Sequence, residues 1–436
     1  MGAVLGHQNG RLMKSVYRDR LRRVARRLSA DPFAPGAVLL SSAPEVLVSR
    51  DTSLPYRQDS DFFYLTGSSR AGLLLLIKGN CKKPFLYVRR PEASDRLWLG
   101  RASDPRSLCE ALGAELKVCA DPLREVSQDL RGIAHLYYQN THGSAAWKIA
   151  QSLIETPSHL RGSCPRRFSH ADCLLEAMRL HKDAHEVRQI SAAIEATCRG
   201  YYAVVPLLQP GVSEKQIACC LDAAFQMRQC SPCFPTIVAA GPSAAVLHYT
   251  RFSRRLKKGE MVLIDCGAAF DMYCADMTRT FPVGGRFSSW QRDLYQIVLD
   301  AQKAAIRRIR PGVRISSVRQ SAARVLTEGL LELGVLRGRL SVLLAQNASK
   351  PYFPHGIGHS LGLDVHDIGP HREQKDPCLE AGMVMTVEPG LYFPRRTAGI
   401  PACGIRLEED VLVTGSGCRV LSAAFPRDIS SIEALF

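Results

Sequence analysis

Asp265 and Glu388 each interrupt an apolar, strand-like run, Val262-Leu-Ile-Asp-Cys-Gly267 and Thr386-Val-Glu-Pro-Gly390. A lone charge buried in a strand is costly, so each acid needs a compensation that apolar neighbours cannot give. Three more residues of metal-ligand type stand in the same half of the chain. They are Asp276 in Ala275-Asp-Met-Thr-Arg-Thr280, His359 in His355-Gly-Ile-Gly-His359 and Glu408 in Gly404-Ile-Arg-Leu-Glu408. Four carboxylates and one imidazole are a mostly hard, oxygen-rich donor set. A fold that gathers them must place cations among them, and two divalent ions sharing bridging carboxylates would suffice.

Local patterns say how the gathering could arise. Met261 to Ile264 and the run that Asp276 begins both read as strands. A hairpin turning about Phe270-Asp271 sets Asp265 opposite Asp276, with the two carboxylates cross-strand neighbours about 5 Å apart. Met383 to Phe393 and Cys403 to Val413 likewise read as strands, joined by a loop near Ala398-Gly399. Arg406 and Glu408 are two apart and share a strand face, where a guanidinium can orient a ligand and offset charge. Gly356 and Gly358 argue against a helix at His355 and His359, and let backbone approach a cleft. His248 in Val246-Leu-His-Tyr-Thr250 and His366 in Leu363-Asp-Val-His-Asp367 complete the histidines of interest. His185 and His371 have no such context.

The chain also echoes itself. Leu256-Lys-Lys-Gly259 precedes Asp265 as Leu379-Glu-Ala-Gly382 precedes Glu388, and Pro311-Gly-Val313 repeats Pro210-Gly-Val212. Two similar halves, each giving a strand pair to a shared cleft, explain both echoes. Between them run helical stretches, one with Val187, Ile190, Ile194, Cys198, Tyr201 and Val205 on a face, and one opened by a capping box at Ser213-Glu-Lys-Gln216. Upstream, Gly36-Ala-Val-Leu-Leu40, Leu73-Leu-Leu-Leu-Ile77 and Phe85-Leu-Tyr-Val88 alternate with helical stretches, the pattern of an α/β domain with a partly parallel sheet. Thr156 to Ser169 reads as a loop and precedes Met178-Arg-Leu-His-Lys182, so the boundary falls near 170–178 and the domains are 1–175 and 176–436.

At 436 residues two domains are the natural expectation. The net charge of +16 raises nucleic-acid binding, but the basic residues are spread along the chain without interleaved aromatics, so no nucleic-acid partner is expected. No apolar run approaches the roughly 18 residues of a membrane span. Fifteen cysteines, an odd number without paired CxxC spacing, read as reduced thiols of a cytoplasmic protein. Residues 1–30 form a basic amphipathic helix on Leu12, Val16, Leu21, Val24 and Leu28. It is read as a surface helix opening the first domain, with a mitochondrial presequence as the alternative. There is no HExxH and no Walker-type loop.

Taken together, His248-Tyr, Ile264-Asp-Cys-Gly, Ala275-Asp-Met-Thr-Arg-Thr-Phe-Pro-Val, His355-Gly-Ile-Gly-His-Ser-Leu-Gly-Leu-Asp-Val-His-Asp, Val387-Glu-Pro-Gly-Leu-Tyr and Gly404-Ile-Arg-Leu-Glu-Glu-Asp resemble aminopeptidase P. Pro55-Tyr-Arg-Gln-Asp-Ser-Asp-Phe-Phe-Tyr-Leu-Thr-Gly67 and Trp98-Leu-Gly-Arg101 resemble that family's N-terminal domain, which methionine aminopeptidases lack. Ile357, Gly358 and Leu407 depart mildly from the family wording, and no ligand is lost. The resemblance implies an α/β N-terminal domain followed by an α+β pita-bread catalytic domain, two divalent ions, usually manganese, and a dimer or tetramer. It implies that Asp276 and Glu408 bridge the ions, that Asp265 completes one, and that His359 with Glu388 completes the other. A metal-bridging hydroxide would attack the bond before proline in peptides with a free N-terminus. Glu388 would accept a proton, and His248, His355 and His366 would surround the substrate beside Arg406. Prolidase, a dipeptidase with the same ligands, is the alternative. A catalytically inactive peptide-binding relative is a third reading, set against the intact ligand set.

Overall fold

The computed structural model describes residues 2–90, 104–157, 163–370 and 375–436, with side chains from residue 15 onward. Its chain divides into two units, Met1–Met178 and Arg179–Phe436. In the first, the three apolar runs become β1 (Gly36–Ser41), β2 (Leu73–Lys78) and β3 (Phe85–Arg89). With β4 (Glu115–Cys119), β5 (His135–Tyr138) and β6 (Arg167–His170) they form one sheet, ordered β4-β3-β2-β1-β5-β6. β2 runs antiparallel to both β1 and β3, and the remaining neighbours are parallel. The partly parallel sheet is therefore present, with Leu39, Leu76, Tyr87 and Leu136 in its core.

One expectation needs correcting here. β6 takes Arg167, Phe168 and Ser169 out of the stretch read as a loop, because they pair with β5. The ladder outweighs the Pro and Gly content before it. The basic N-terminal segment is a helix, Gly2–Ser29, that buries Tyr17, Leu21, Val24 and Leu28. Its Arg20 is buried too, donating to the Tyr64 carbonyl at 2.9 Å and lying 3.9 Å from that ring's centroid. Trp98 to Arg101 and His371 lie outside the described residues.

In the second unit, helices Ala184–Val204 and Glu214–Gln226 pack together, as do Ser289–Arg308 and Ile315–Glu332. The first helix buries Ile190, Ile194, Cys198 and Tyr201, and the second opens with the expected Ser213/Gln216 capping box. The sequence echoes have a structural cause. Gly211 N–H donates to the Leu256 carbonyl and Leu256 N–H to Val212, while Gly312 donates to Leu379 and Leu379 to Val313, all at 2.8 Å. Each Pro-Gly-Val is thus bonded to the leucine of its own Leu-x-x-Gly, in the same pattern in both halves.

The strands of the first half are β7 (Ser231–Pro232), β8 (Ile237–Ala240), β9 (Met261–Cys266), β10 (Ala268–Phe270), β11 (Tyr273–Cys274) and β12 (Met277–Pro282). β9 lies between β8 and β12, antiparallel to both. The expected register is shifted: Asp265 faces Thr278, not Asp276. The cause is the turn. Positive φ falls at Asp271 (49°) and Met272 (66°), and Phe270 pairs with Tyr273, so the two-residue turn is centred one position later than expected. The slip is even in strand terms, two residues on one side, so Asp265 and Asp276 keep a common face.

The second half carries β13 (Val384–Val387), β14 (Gly390–Phe393), β15 (Cys403–Arg406), β16 (Glu409–Val413) and β17 (Cys418–Val420). β13 pairs with β16, and β14 with β15. The two continuous strands expected from the sequence are therefore each broken, at Glu388-Pro389 and at Leu407-Glu408. Glu388 N–H donates to the Ile357 carbonyl and Glu408 N–H to the Thr278 carbonyl, so neither serves its own ladder. Val387 faces Glu409 and Gly390 faces Arg406, and that register brings Glu388 opposite Glu408.

Candidate metal centre

Asp276, His359 and Glu408 offer donor atoms that all lie within 4.8 Å of one another. Each arrives from a different place: the residue before β12, the glycine-rich loop, and the break between β15 and β16. Tyr201, from the helix Ala184–Val204, holds the first strand pair together beside the ligands. Its hydroxyl lies 3.0 Å from the Ile264 carbonyl and 2.6 Å from the Met277 carbonyl. Gly358 lets the His359 loop lie against β13. A Cβ at Gly358 would stand 1.9 Å from the Thr386 carbonyl oxygen, so a bare backbone is needed for that approach.

The imidazole's tautomer follows from its partners. His359 Nδ1 lies 3.1 Å from the Ser360 carbonyl, which can only accept, so Nδ1 carries the proton. Nε2 then directs its lone pair at Asp276 Oδ2, 3.4 Å away, and Glu388 Oε1, 3.6 Å away. Thr386 Oγ1 accepts from the His359 N–H at 3.0 Å and donates to Glu388 Oε1 at 3.2 Å. Thr278 plays the matching part opposite, donating to Glu408 Oε2 at 2.6 Å and accepting from Arg406 Nε at 3.0 Å. Arg406 also donates to Asp265 Oδ2 at 2.5 Å.

A lone pair aimed at two carboxylates leaves a place that only a cation suits. Two carboxylates no more than 4.8 Å apart repel by roughly 3 kcal/mol or more at an effective dielectric of about 20. Burial pushes the Asp276 carboxyl well above the ordinary range, and Glu408, Asp265, Asp410 and Glu388 push it further. Burial likewise raises Glu408 far, with Glu388 and Asp265 adding to it, and burial raises Glu388 against the pull of His359 and Arg406. Asp265 Oδ1 and Asp276 Oδ1 are buried with no hydrogen-bond partner among the described residues. The donor set and these two oxygens fit divalent ions.

The remaining predicted residues border this cluster. Tyr392 OH accepts from Arg406 Nη1 at 3.0 Å and donates to His355 Nε2 at 2.9 Å, while His355 Nδ1 donates to the Gly356 carbonyl at 2.8 Å. His355 is thereby a neutral imidazole. Burial and then Arg406 hold its pKa down to about 4. His366 packs edge-on to His359, ring centroids 4.2 Å apart, and its pKa is lowered by burial, His359 and His248. His248 is exposed. Sequence reasoning missed Thr278, Thr386, Tyr392 and Asp410, whose Oδ2 accepts the Asp276 N–H at 3.2 Å. Strand parity carries the signal for three of them: Thr278 is two from Asp276, Thr386 two from Glu388 and Asp410 two from Glu408.

The sequence model of metallopeptidase family M24 matches residues 188–415, and that of the aminopeptidase P N-terminal domain matches 17–138. The chain is 35% identical to a Haemophilus influenzae Xaa-Pro aminopeptidase over 98% of both chains. It is 34% identical to an Escherichia coli Xaa-Pro aminopeptidase over 97% of this chain and 98% of that one. Among solved structures, Pseudomonas aeruginosa aminopeptidase PepP superposes with a TM-score of 0.88 at 32% identity, covering 96% of this chain and 97% of that one. E. coli aminopeptidase P with the inhibitor Pro-Leu gives 0.89 at 33% identity, covering 96% and 98%. With the pita-bread fold of those structures and this donor cluster, the chain belongs to metallopeptidase family M24, with the N-terminal domain of aminopeptidase P.

Proposed function

We propose that this chain is a metal-dependent aminopeptidase that releases the first residue of Xaa-Pro-Yaa peptides, with residues 1–175 as N-terminal domain and 176–436 as catalytic domain. The observation that carries the reading is the convergence of Asp276, His359 and Glu408 donor atoms beside Asp265 and Glu388, in a chain of this family. The relatives' names, Xaa-Pro aminopeptidase, support the bond cleaved.

The donor set supports two divalent ions, Mn2+ being favoured by its oxygen-rich character. Asp276 and Glu408 would bridge them, Asp265 would complete one, and His359 with Glu388 the other. Bound there, the ions supply Lewis acidity toward water, the scissile carbonyl and the substrate's free amine. Glu388, its Oε1 steadied by Thr386, takes the proton of the attacking water. His248, His355 and His366 surround the substrate. His248 and His366 steady the developing oxyanion and help protonate the leaving proline nitrogen, while His355, with both ring nitrogens already engaged, lines the substrate space beside Tyr392. Arg406 keeps Asp265 and Thr278 in place. The bond before proline has no N–H, so extended-chain recognition fails there and the ring must be held by burial.

The partners proposed are proline-containing peptides with a free N-terminus and further copies of this chain, as a dimer or tetramer. No helix among the described residues is long and apolar enough to cross a membrane. The fifteen cysteines are free thiols in the structure, which supports a reducing compartment such as the cytoplasm. Matched dipeptide, tripeptide and alanine-substituted substrates test the reading. Xaa-Pro-Yaa should exceed Xaa-Ala-Yaa in kcat/KM by at least about ten-fold. A preference for the bare Xaa-Pro dipeptide would make the chain a prolidase instead.

A further inference from the structure

Met178-Arg-Leu-His-Lys182 has no part in the centre described above, yet it supplies two buried cations. Arg179 Nη2 lies 2.5 Å from Asp367 Oδ1 and 2.9 Å from Asp364 Oδ2, and Lys182 Nζ lies 3.0 Å from Asp367 Oδ2. The side chains of Lys182 and Asp367 are 0% and 2% exposed, and that of Arg179 is 5%. Both acids belong to residues 362–367, an irregular loop that carries His366. Its ends are fixed by backbone bonds, Cys274 N–H to the Gly362 carbonyl at 2.7 Å and Asp367 N–H to the Ser360 carbonyl at 2.9 Å. Asp367 sits directly against Gly362, where a Cβ would lie 2.0 Å from its Oδ2.

We propose that Arg179 and Lys182, with their partners Asp364 and Asp367, are positioning residues that set the placement of His366 over the metal centre. The proposal rests on the substrate-side role given to His366 above. Buried ion pairs rarely add stability over apolar packing of equal volume, so stability alone is a poor account of this one. Directionality is what such a pair supplies. Two cations from one segment hold the carboxylate next to His366 at both oxygens, leaving the loop one arrangement and its imidazole against His359.

A double-mutant cycle on the full-length, manganese-loaded protein tests this. Lys182→Met and the milder Asp364→Asn are each made alone and with His366→Ala, reading kcat, KM for a Xaa-Pro-Yaa tripeptide, bound metal and melting temperature. Lys182→Met should lower kcat by about ten- to a hundred-fold with metal content unchanged, and Asp364→Asn by about three-fold. In the His366→Ala background neither should cost anything further, because the residue they act through is gone. If Lys182→Met does not fold, Asp364, 40% exposed, carries the same cycle. Losses that multiply in the His366→Ala background overturn the proposal, as does an Asp364→Asn protein with unchanged kcat. If His366→Ala alone leaves kcat unchanged, the substrate-side reading of His366 fails first.

Discussion

Thr278 links two charged groups of the centre without being a ligand. It donates to Glu408 and accepts from Arg406, and Arg406 in turn holds Asp265. Thr278→Val keeps the shape and removes the hydroxyl, so Glu408 loses a partner and Arg406 Nε is left unpaired. Metal affinity should fall about ten- to a hundred-fold, measured by titration of stripped protein. Affinity equal to wild type would show that Thr278 only packs. Glu388→Ala and His366→Ala should separate in a different way. The first abolishes turnover and weakens metal binding, whereas the second lowers kcat with metal content intact. Equal metal loss in both would show that His366 is a ligand. Asp265 and Glu388 were legible because charges in apolar runs are costly, and Asp276, His359 and Glu408 because residues of metal-ligand type stand in motifs that resemble the family's. Thr278 and Thr386 were not, since a threonine in a strand is ordinary until its neighbours are known.

At the scale of elements, the register error and the broken ladders have one lesson. The pattern of apolar residues fixes which face of a strand is buried, but the turn fixes its register, and nothing in Phe270-Asp271-Met272 marks Met272 as left-handed. The breaks at Glu388 and Glu408 arise because their N–H groups serve backbone far away in the sequence, Ile357 and Thr278. Such a diversion is invisible to local periodicity. That backbone comes close at the glycine-rich loop was legible, through Gly356 and Gly358; that Gly358 lies against Thr386 of β13 was not. Gly358→Ala must push that loop from Thr386 and should cost roughly 1–3 kcal/mol in urea unfolding, with weakened metal binding. A variant as stable as wild type, binding metal equally, would contradict the packing described.

For the whole molecule, the likeness of the two halves was readable because both make the same hydrogen bonds at the same places, between Pro-Gly-Val and the leucine of Leu-x-x-Gly. The ion pairs of Arg179 and Lys182 were not, since their partners lie far along the chain. They bear on stability in acid. Burial alone would raise the Asp367 carboxyl, but Lys182 and Arg179 outweigh it and hold its pKa below the usual value. A carboxylate lowered on folding contributes stability above its unfolded pKa of about 3.9, and loses it as pH falls through the folded value. The unfolding free-energy gap between wild type and Asp367→Asn should therefore be full above about pH 5 and narrow progressively below about pH 4. A gap unchanged down to about pH 2 would contradict this assignment.

The central claim is that the acidic cluster holds the divalent ions that make the chain a Xaa-Pro aminopeptidase. It is tested most directly by titrating chelator-stripped protein with Mn2+ while following release of the first residue from a Xaa-Pro-Yaa tripeptide. The account predicts no turnover in stripped protein and activity that rises to a plateau at about two equivalents per chain. Stripped protein that cleaves the tripeptide at the full rate would contradict it.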